Sequence, residues 1–456
     1  MCNHISPGPP HLASSPAGLS EGGAETLSLT LFQGAQIIVF PEDGIHGFNF
    51  SRLSISGYLE TIPDPLTEDW NPCTQPDRHN HTEVLQSLSC MARHHQLYLV
   101  ANMPDLQPCP LTSHPHLDPS QTPCPPDGRW QFNTDVVFRL VVNGLFLTTG
   151  SLAARYHKQN LFFEKEFDTP PRLEVVTFDT PFAGRFGVFT CFDILFHDPT
   201  VRLLEKGIRQ MIFPTAWMNL LPLLTAVQIQ RGVSLGANVT LLAANLRHDS
   251  KAMTGSGIFT PSTSLYHHAF HHPGEPEGKL LVLRIPVLDS DWLMVNLPMP
   301  QFLPSLPLPP PFNSFMVGDL FFFALLLDSE GQLTLCDGLL CCHLQYQRST
   351  QGGNTELYAL GVFCWQSHVC ALVQCSGSEV SSCGKGVEEA ESRLDYRLEG
   401  KFGTRYVYPS LLGSGMVVDG PDRIEKTTDG RVTMEHSGMS VGLVTACLYG
   451  RVYDQD

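Results

Sequence analysis

The sequence is short of basic charge, of long apolar runs and of paired cysteine motifs, and each shortage argues against a class of function. Lysine and arginine number 28 against 45 acidic residues, a formal net charge of −17. So acidic a surface repels polyanions, and neither nucleic acid nor an anionic membrane is an expected partner. The most apolar stretch, residues 315–327, contains Asp319 and falls short of the roughly 20 residues needed to cross a bilayer, so no membrane span is expected. None of the 14 cysteines forms a Cys-X-X-Cys pair, which argues against a structural zinc site. Residues 1–30 show no basic segment followed by an apolar one, so no signal peptide is visible, and the polar ending at Asp456 lacks the hydrophobic tail of a lipid-anchor signal.

Cysteine itself is plentiful but uneven. Cys73, Cys90, Cys109 and Cys124 lie early, and Cys336, Cys341, Cys342, Cys364, Cys370, Cys375 and Cys383 crowd the later part. Such crowding suits an oxidising compartment in which disulfides persist, and three Asn-X-Ser/Thr sequons agree with secretion. Asn49 and Asn80 are the expected glycosylation sites, whereas Asn238 opens an apolar run that reads as a strand. Cys341 and Cys342 are adjacent and cannot easily bond to each other, so separate partners are expected.

With 456 residues there is room for a large catalytic domain and a second one. Residues 1–24, rich in Pro, Ser and Gly, read as disordered, and seven prolines between Pro298 and Pro311 mark residues 298–313 as a stiff connector. Over residues 25–297, short apolar runs alternate with helical spacing. Residues 36–40 read as a covered strand, 83–95 as a helix and 97–101 as the next strand. Residues 104–127 read as a surface insertion closed by a Cys109–Cys124 disulfide, and 135–142 with 145–147 as a hairpin. Residues 186–191 predict a buried strand; Asp198 and Pro199 predict the N-cap and first residue of a helix ending near Gly207. A strand over 210–213, a helix over 223–232 and a strand over 241–245 complete a layered α/β pattern. Residues 314–456 show short runs separated by Gly and Ser, a β-rich, cysteine-containing second domain.

In a covered α/β sheet, catalytic groups gather outside the carboxyl ends of strands, because several strand ends face one crevice there. Glu42 and Cys191 both occupy such ends. Alone, a thiol in that place reads as an inert small hydrophobe and Glu42 as a loop carboxylate. Together with a lysine they carry more. Phe40-Pro-Glu42, Arg155-Tyr-His-Lys158 and Phe189-Thr-Cys191-Phe-Asp193, in that order, resemble the Glu, Lys and Cys signatures of the nitrilase, or carbon–nitrogen hydrolase, superfamily. The resemblance runs over about residues 33–456 and extends to the vertebrate branch of biotinidases and pantetheinases, the vanins. Residues 40–50, 180–186, 215–219, 253–257 and 442–446 are similar to the former; residues 156–160, 196–197 and 336–340 read closer to the latter.

This resemblance implies a four-layer α-β-β-α sandwich followed by the β-rich domain peculiar to the branch. It implies Cys191 as nucleophile, Glu42 as general base, Lys158 as the cation facing the tetrahedral oxyanion and Glu164 as a supporting glutamate; Glu164 otherwise reads as a helix-surface charge. Trp217, just past the strand over 210–213, reads as a pocket residue or as core packing. The residue types suit amide hydrolysis. An amide is a poor electrophile, so attack needs a thiolate, and the developing oxyanion needs a fixed cation away from water. The implied reaction releases biotin from biocytin and biotinyl peptides through a thioester. The alternative is hydrolysis of pantetheine to pantothenate and cysteamine, and neither reaction calls for a metal or organic cofactor. His267-His268 and His271-His272 read as solvated loop residues rather than ligands.

Two departures from the family stand out. Only about residues 24–34 precede the Glu strand where members have a core strand and a long helix, and residues 362–370 are shorter than the matching segment. A missing first strand makes a truncated, inactive chain that retains the three residues a further expectation.

Overall fold

The computed structural model describes residues 34–109, 124–140, 150–269, 279–288, 310–349 and 356–455, together with the backbone of 142–143 and 146–147. The expected disorder of residues 1–24, most of the connector and His271-His272 lie outside these residues.

The first sheet has the order β1-β2-β3-β6, with β1 Ile37–Val39, β2 Tyr98–Pro108, β3 Arg129–Arg139 and β6 Ser151–His157; β4 Val142–Asn143 and β5 Phe146–Leu147 make a separate two-stranded hairpin. Strand β1 runs parallel to β2, and β2, β3 and β6 are antiparallel neighbours. Alternation along β2 explains its apolar run. Leu99, Ala101 and Met103 face helix α1, Glu83–His95, through Leu85, Leu88 and Ala92, while Tyr98 and Val100 face the second sheet. Helix α1 ends on Gln96 in the left-handed conformation, with Arg93, His94 and His95 at the negative end of its dipole.

The second sheet has the order β12-β11-β10-β9-β8-β7, from β7 Thr177–Thr180, β8 Gly184–Val188, β9 Gln210–Thr215, β10 Thr240–Asn245, β11 Ser256–Phe259 and β12 Ser264–His267. Strands β8, β9 and β10 are parallel. Phe178, Phe186, Val188 and Ile212 pack on Tyr98, Val100, Val137 and Tyr156 of the first sheet. The outer face carries a short α2, Arg202–Glu205, and α3, Ala226–Ala237, with Leu203, Ile229 and Val233 in one core with Met211, Phe213 and Leu241. This is the α-β-β-α sandwich implied by the resemblance.

Several boundaries move. Residues 104–108 continue β2 instead of opening an insertion, although the Cys109–Cys124 disulfide is present. The strand expected over 186–191 stops at Val188. Asp198 has the extended backbone of an N-cap ahead of Pro199, and helical turns follow through α2 to a left-handed Gly207, but the Asp198 carboxylate takes His197 and Arg202 in place of a backbone amide.

Strands from Phe312 onward form two further sheets, of seven and five strands, around Leu344, Leu360, Leu372, Leu398 and Leu448. Cys342–Cys370 bridges these sheets, Cys336–Cys341 closes a hairpin and Cys375–Cys383 a loop, so Cys341 and Cys342 do have separate partners. The seven-stranded sheet rests on α3 through glycine. A side chain at Gly236 would put its Cβ 2.4 Å from the Val407 carbonyl oxygen. Lys426 crosses the same junction, donating to the carbonyls of Gly236 at 2.7 Å and Val407 at 3.0 Å.

Candidate active site

The carboxyl ends of both inner sheets open toward one place. Glu42 follows β1, Asn133 and Asp135 lie on β3, and Lys158 follows β6; from the second sheet, Cys191 follows β8 and Ala216 follows β9. Glu42 and Lys158 are both 1% exposed, and Lys158 Nζ donates to Glu42 Oε1 at 2.7 Å. The same ammonium is hydrogen-bonded to Glu164 Oε1. Asn133 Nδ2 bridges the two carboxylates, at 2.9 Å from Glu42 and 3.0 Å from Glu164, and the Ala216 amide donates to Glu42 Oε2 at 2.9 Å. Glu164 is therefore not the helix-surface charge of the alternative reading: it is the second carboxylate on a buried lysine.

Cys191 lies two residues beyond the hydrogen bond from the Phe189 amide to Ile212, and it opens a short helical turn with φ of +45°. A residue with a Cβ adopts that conformation only where its surroundings impose it, and such strain gathers at functional turns. Asp193 does the imposing. Its carboxylate accepts from the Thr190 amide at 3.0 Å, the Tyr156 hydroxyl at 2.7 Å, and the Asn160 amide and side chain at 2.9 and 2.8 Å. The turn is thereby clamped to the loop carrying Lys158, and Cys191 is 7% exposed.

Electrostatics couples the three groups. Burial pushes the Glu42 carboxyl up to about 8, against the pull of Lys158. Burial opposes the Lys158 charge, but Glu164, Glu42 and Cys191 outweigh it and hold the ammonium well above the usual lysine range. Burial, then the Glu42 charge, raise the Cys191 thiol well above its ordinary value, while Lys158, the Thr215 side chain and the Ala216 amide favour the thiolate. Two carboxylates behind them are also raised by burial, Asp135 to about 7 and Asp193 to about 6. Buried surroundings thus hold a thiol, a carboxylate and a fixed cation, the set that acyl transfer to sulfur requires.

Trp217 is 6% exposed, its indole donates to the Leu224 carbonyl at 2.9 Å, and it shares an apolar cluster with Cys191. Its backbone amide donates to Asn245 Oδ1 at 2.7 Å, which pins the turn after β9 beside Glu42. Asn49 and Asn80 are exposed; Asn238 is the left-handed cap of α3, a residue before the strand that the sequence pattern had it opening. Among the described residues no three His, Cys, Asp or Glu side chains are grouped to hold a metal ion. Sequence reasoning assigned no role to Asn102, Asn133, Asp135 or Thr190. The available signal was three consecutive polar residues, Asn133-Thr134-Asp135, between apolar Phe132 and Val136-Val137-Phe138 in one strand and all 1% exposed or less.

A family model described as carbon–nitrogen hydrolase matches residues 21–247, and one described as the vanin C-terminal domain matches residues 316–456. Biotinidase of Takifugu rubripes is 58% identical over 449 residues, covering 93% of this chain and 86% of that protein. Biotinidase of Bos taurus is 45% identical over 463 residues, covering 93% and 84%. Pantetheinase of Canis lupus familiaris is 42% identical over 440 residues, covering 93% and 80%.

Proposed function

Because this chain belongs to the carbon–nitrogen hydrolase family, in the branch that also carries the vanin C-terminal domain, we propose that it hydrolyses biotinyl amides with Cys191 as nucleophile. The chain is a hydrolase of linear amide C–N bonds; the acyl group and the residue roles are our reading. The observation that carries the roles is the single buried cluster of Glu42, Lys158 and Glu164, coupled electrostatically to Cys191. Glu42 takes the thiol proton as the sulfur attacks the carbonyl carbon, and Lys158 faces the oxygen that becomes negative. Glu42 returns the proton to the departing amine, leaving a thioester on Cys191. Water, deprotonated by Glu42, then attacks the thioester; the C–S bond breaks, the acid is released and the Cys191 sulfur takes the proton back from Glu42. Lys158 stays charged throughout, since Glu164 holds its proton even while Glu42 is protonated.

Biotin is the favoured acyl group because the biotinidases above are the more similar relatives, at 58% and 45% identity against 42% for pantetheinase. Acyl preference resides in pocket contacts and not in the reacting groups. The test compares hydrolysis of a biotinyl-lysine amide with that of pantetheine by the purified chain. Preference for the biotinyl substrate in kcat/KM supports the reading, preference for pantetheine replaces it, and no cleavage by a folded chain marks an inactive form.

The pH profile gives a second check. Glu42 must be ionised to accept a proton, and burial raises its pKa, so activity should fall as pH drops through a value well above the ordinary glutamate pKa of about 4.3. A rising limb in kcat/KM centred at the ordinary value would identify a solvated carboxylate as the base and remove Glu42 from that role.

Five disulfides support an oxidising, secretory setting, as do the exposed sequons. No described helix is long and apolar enough to cross a membrane. Protein made in a secreting eukaryotic host should lose mass on N-glycosidase treatment, with smaller losses in Asn49→Gln and Asn80→Gln; an unchanged mass would refute glycosylation.

A further inference from the structure

Behind the reacting groups lies a chain of hydrogen bonds in which one carboxylate serves both sheets. Asp135, on β3, is fully buried and touches no solvent. Its Oδ2 accepts from the hydroxyl of Thr190, the residue before Cys191, at 2.6 Å. Its Oδ1 accepts from Asn102 Nδ2 at 2.9 Å. That nitrogen also donates to Asn133 Oδ1 at 2.6 Å, and Asn133 Nδ2 in turn donates to Glu42 Oε1. Asn102 Oδ1 accepts from the Asp43 amide at 3.1 Å, which fixes the orientation of the Asn102 amide and holds the backbone next to Glu42. The nucleophile's loop comes from the second sheet and the base's loop from the first. Apolar contacts join the facing strands β2, β3 and β6 to β7, β8 and β9 across that interface, together with the hydroxyls of Tyr98, which donates to the Asp179 carbonyl at 3.3 Å, and of Tyr156, which donates to Asp193.

We propose that Asp135 is a positioning residue: it ties the turn carrying Cys191 to the loop carrying Glu42 and so sets the approach over which the thiol proton is transferred. The inference rests on the roles proposed for Cys191 and Glu42, and it concerns rate rather than substrate binding, because Asp135 is out of reach of any substrate. Its Oδ1 faces the Asn102 amide, whose orientation the Asp43 amide sets, and its Oδ2 faces the Thr190 hydroxyl. An asparagine in its place would keep its carbonyl on Asn102 and turn an NH₂ toward Thr190, replacing a bond to a carboxylate by a weaker, reversed one. Misplacement of reacting groups by about 1 Å can lower a rate about 100-fold.

The experiment uses the full chain and four proteins: wild type, Asp135→Asn, Thr190→Val and Thr190→Ser. Valine keeps the shape of threonine without the hydroxyl; serine keeps the hydroxyl. Turnover of the preferred amide is measured alongside the rate of Cys191 alkylation by iodoacetamide. The alkylation is read by mass spectrometry of the Cys191 peptide, so that Cys364 and Cys447, the other free thiols among the described residues, do not contribute. The expected result is a loss in kcat of about 10-fold or more for Asp135→Asn and Thr190→Val. KM should stay within about 3-fold, alkylation should slow in parallel, and Thr190→Ser should retain wild-type behaviour. If Asp135→Asn does not fold, the Thr190 pair decides. The proposal is overturned by wild-type kcat and alkylation in Thr190→Val, by a loss confined to KM, or by equal damage in Thr190→Ser. Alkylation needs no amide substrate, so a mistaken functional reading shows separately, as a wild-type chain that labels at Cys191 yet cleaves no amide.

Discussion

Cys191→Ala is expected to lower amide turnover by about 10⁴-fold or more while leaving the protein folded. Without sulfur no thioester can form, and neither Glu42 nor Lys158 can replace a nucleophile held at the start of the turn. Folding should survive for a specific reason. The clamp on that turn is the Asp193 carboxylate with its four donors, not the thiol, and alanine occupies the φ of +45° no worse than cysteine does. The check pairs steady-state rates with thermal unfolding, and adds mass spectrometry of the wild type during turnover. A covalent acyl increment on the Cys191 peptide is expected in the wild type and absent in the variant. Turnover retained in a folded Cys191→Ala protein would sink the nucleophile assignment. Cys191→Ser should be nearly as poor, because an alcohol is a far weaker acid than a thiol and Glu42 would have to remove its proton.

Much of the fold was legible because covered strands read as short apolar runs and helices as apolar residues at a period of 3.6. Helix α1 and strands β1, β9 and β10 sit close to where apolar spacing put them. Helix α3 was misplaced at its start, since Leu223 and Leu224 are apolar for a different reason: they pack in the core ahead of the Thr225 cap. Strand β2 was cut short at Ala101, with residues from Pro104 read as an insertion for their Pro, Ser and Thr content, yet Asp105 is buried there and pairs with His157 at 2.8 Å. In the site, the residues with motif neighbours came together as expected: Glu42, Lys158 and Glu164 in contact, with Cys191 beside them. The polar network of Asn102, Asn133, Asp135 and Thr190 was not legible. Asn133 and Asp135 are near neighbours whose polarity inside a strand marks them, but they meet Asn102 and Thr190 only through sheet pairing and sheet stacking, which no local pattern encodes.

Glu42 and Lys158 should separate activity from stability. The buried cluster holds two carboxylates and one ammonium, a net excess of one negative charge if all three are ionised. Glu42→Gln removes that excess. Glutamine can still accept from Lys158 and Asn133 but turns an NH₂ toward the Ala216 amide, a loss of about 1 kcal/mol set against relief of a buried like charge. Stability is therefore expected to stay within about 2 kcal/mol of wild type while turnover drops by about 10²- to 10⁴-fold, for want of a base. Lys158→Met does the opposite to the charge. It leaves Glu42 and Glu164 facing each other with Asn133 as their shared donor, and breaking a buried pair in this way costs about 3 to 5 kcal/mol, a large share of the roughly 5 to 15 kcal/mol that holds a domain together. What folds should still lose about 100-fold or more in rate, since the oxyanion has lost its cation. The pH dependence follows from the sign. Burial already raises the Glu42 carboxyl and Lys158 is the charge that pulls it down, so without the lysine its folded pKa lies further above that of the unfolded chain, and the stability it contributes is present at low pH and lost as pH rises. The melting temperature of Lys158→Met relative to wild type should accordingly recover between about pH 8 and about pH 5. A deficit that stays constant over that range would mean that the lost lysine acts through packing, and that Glu42 and Glu164 are not held together by its charge.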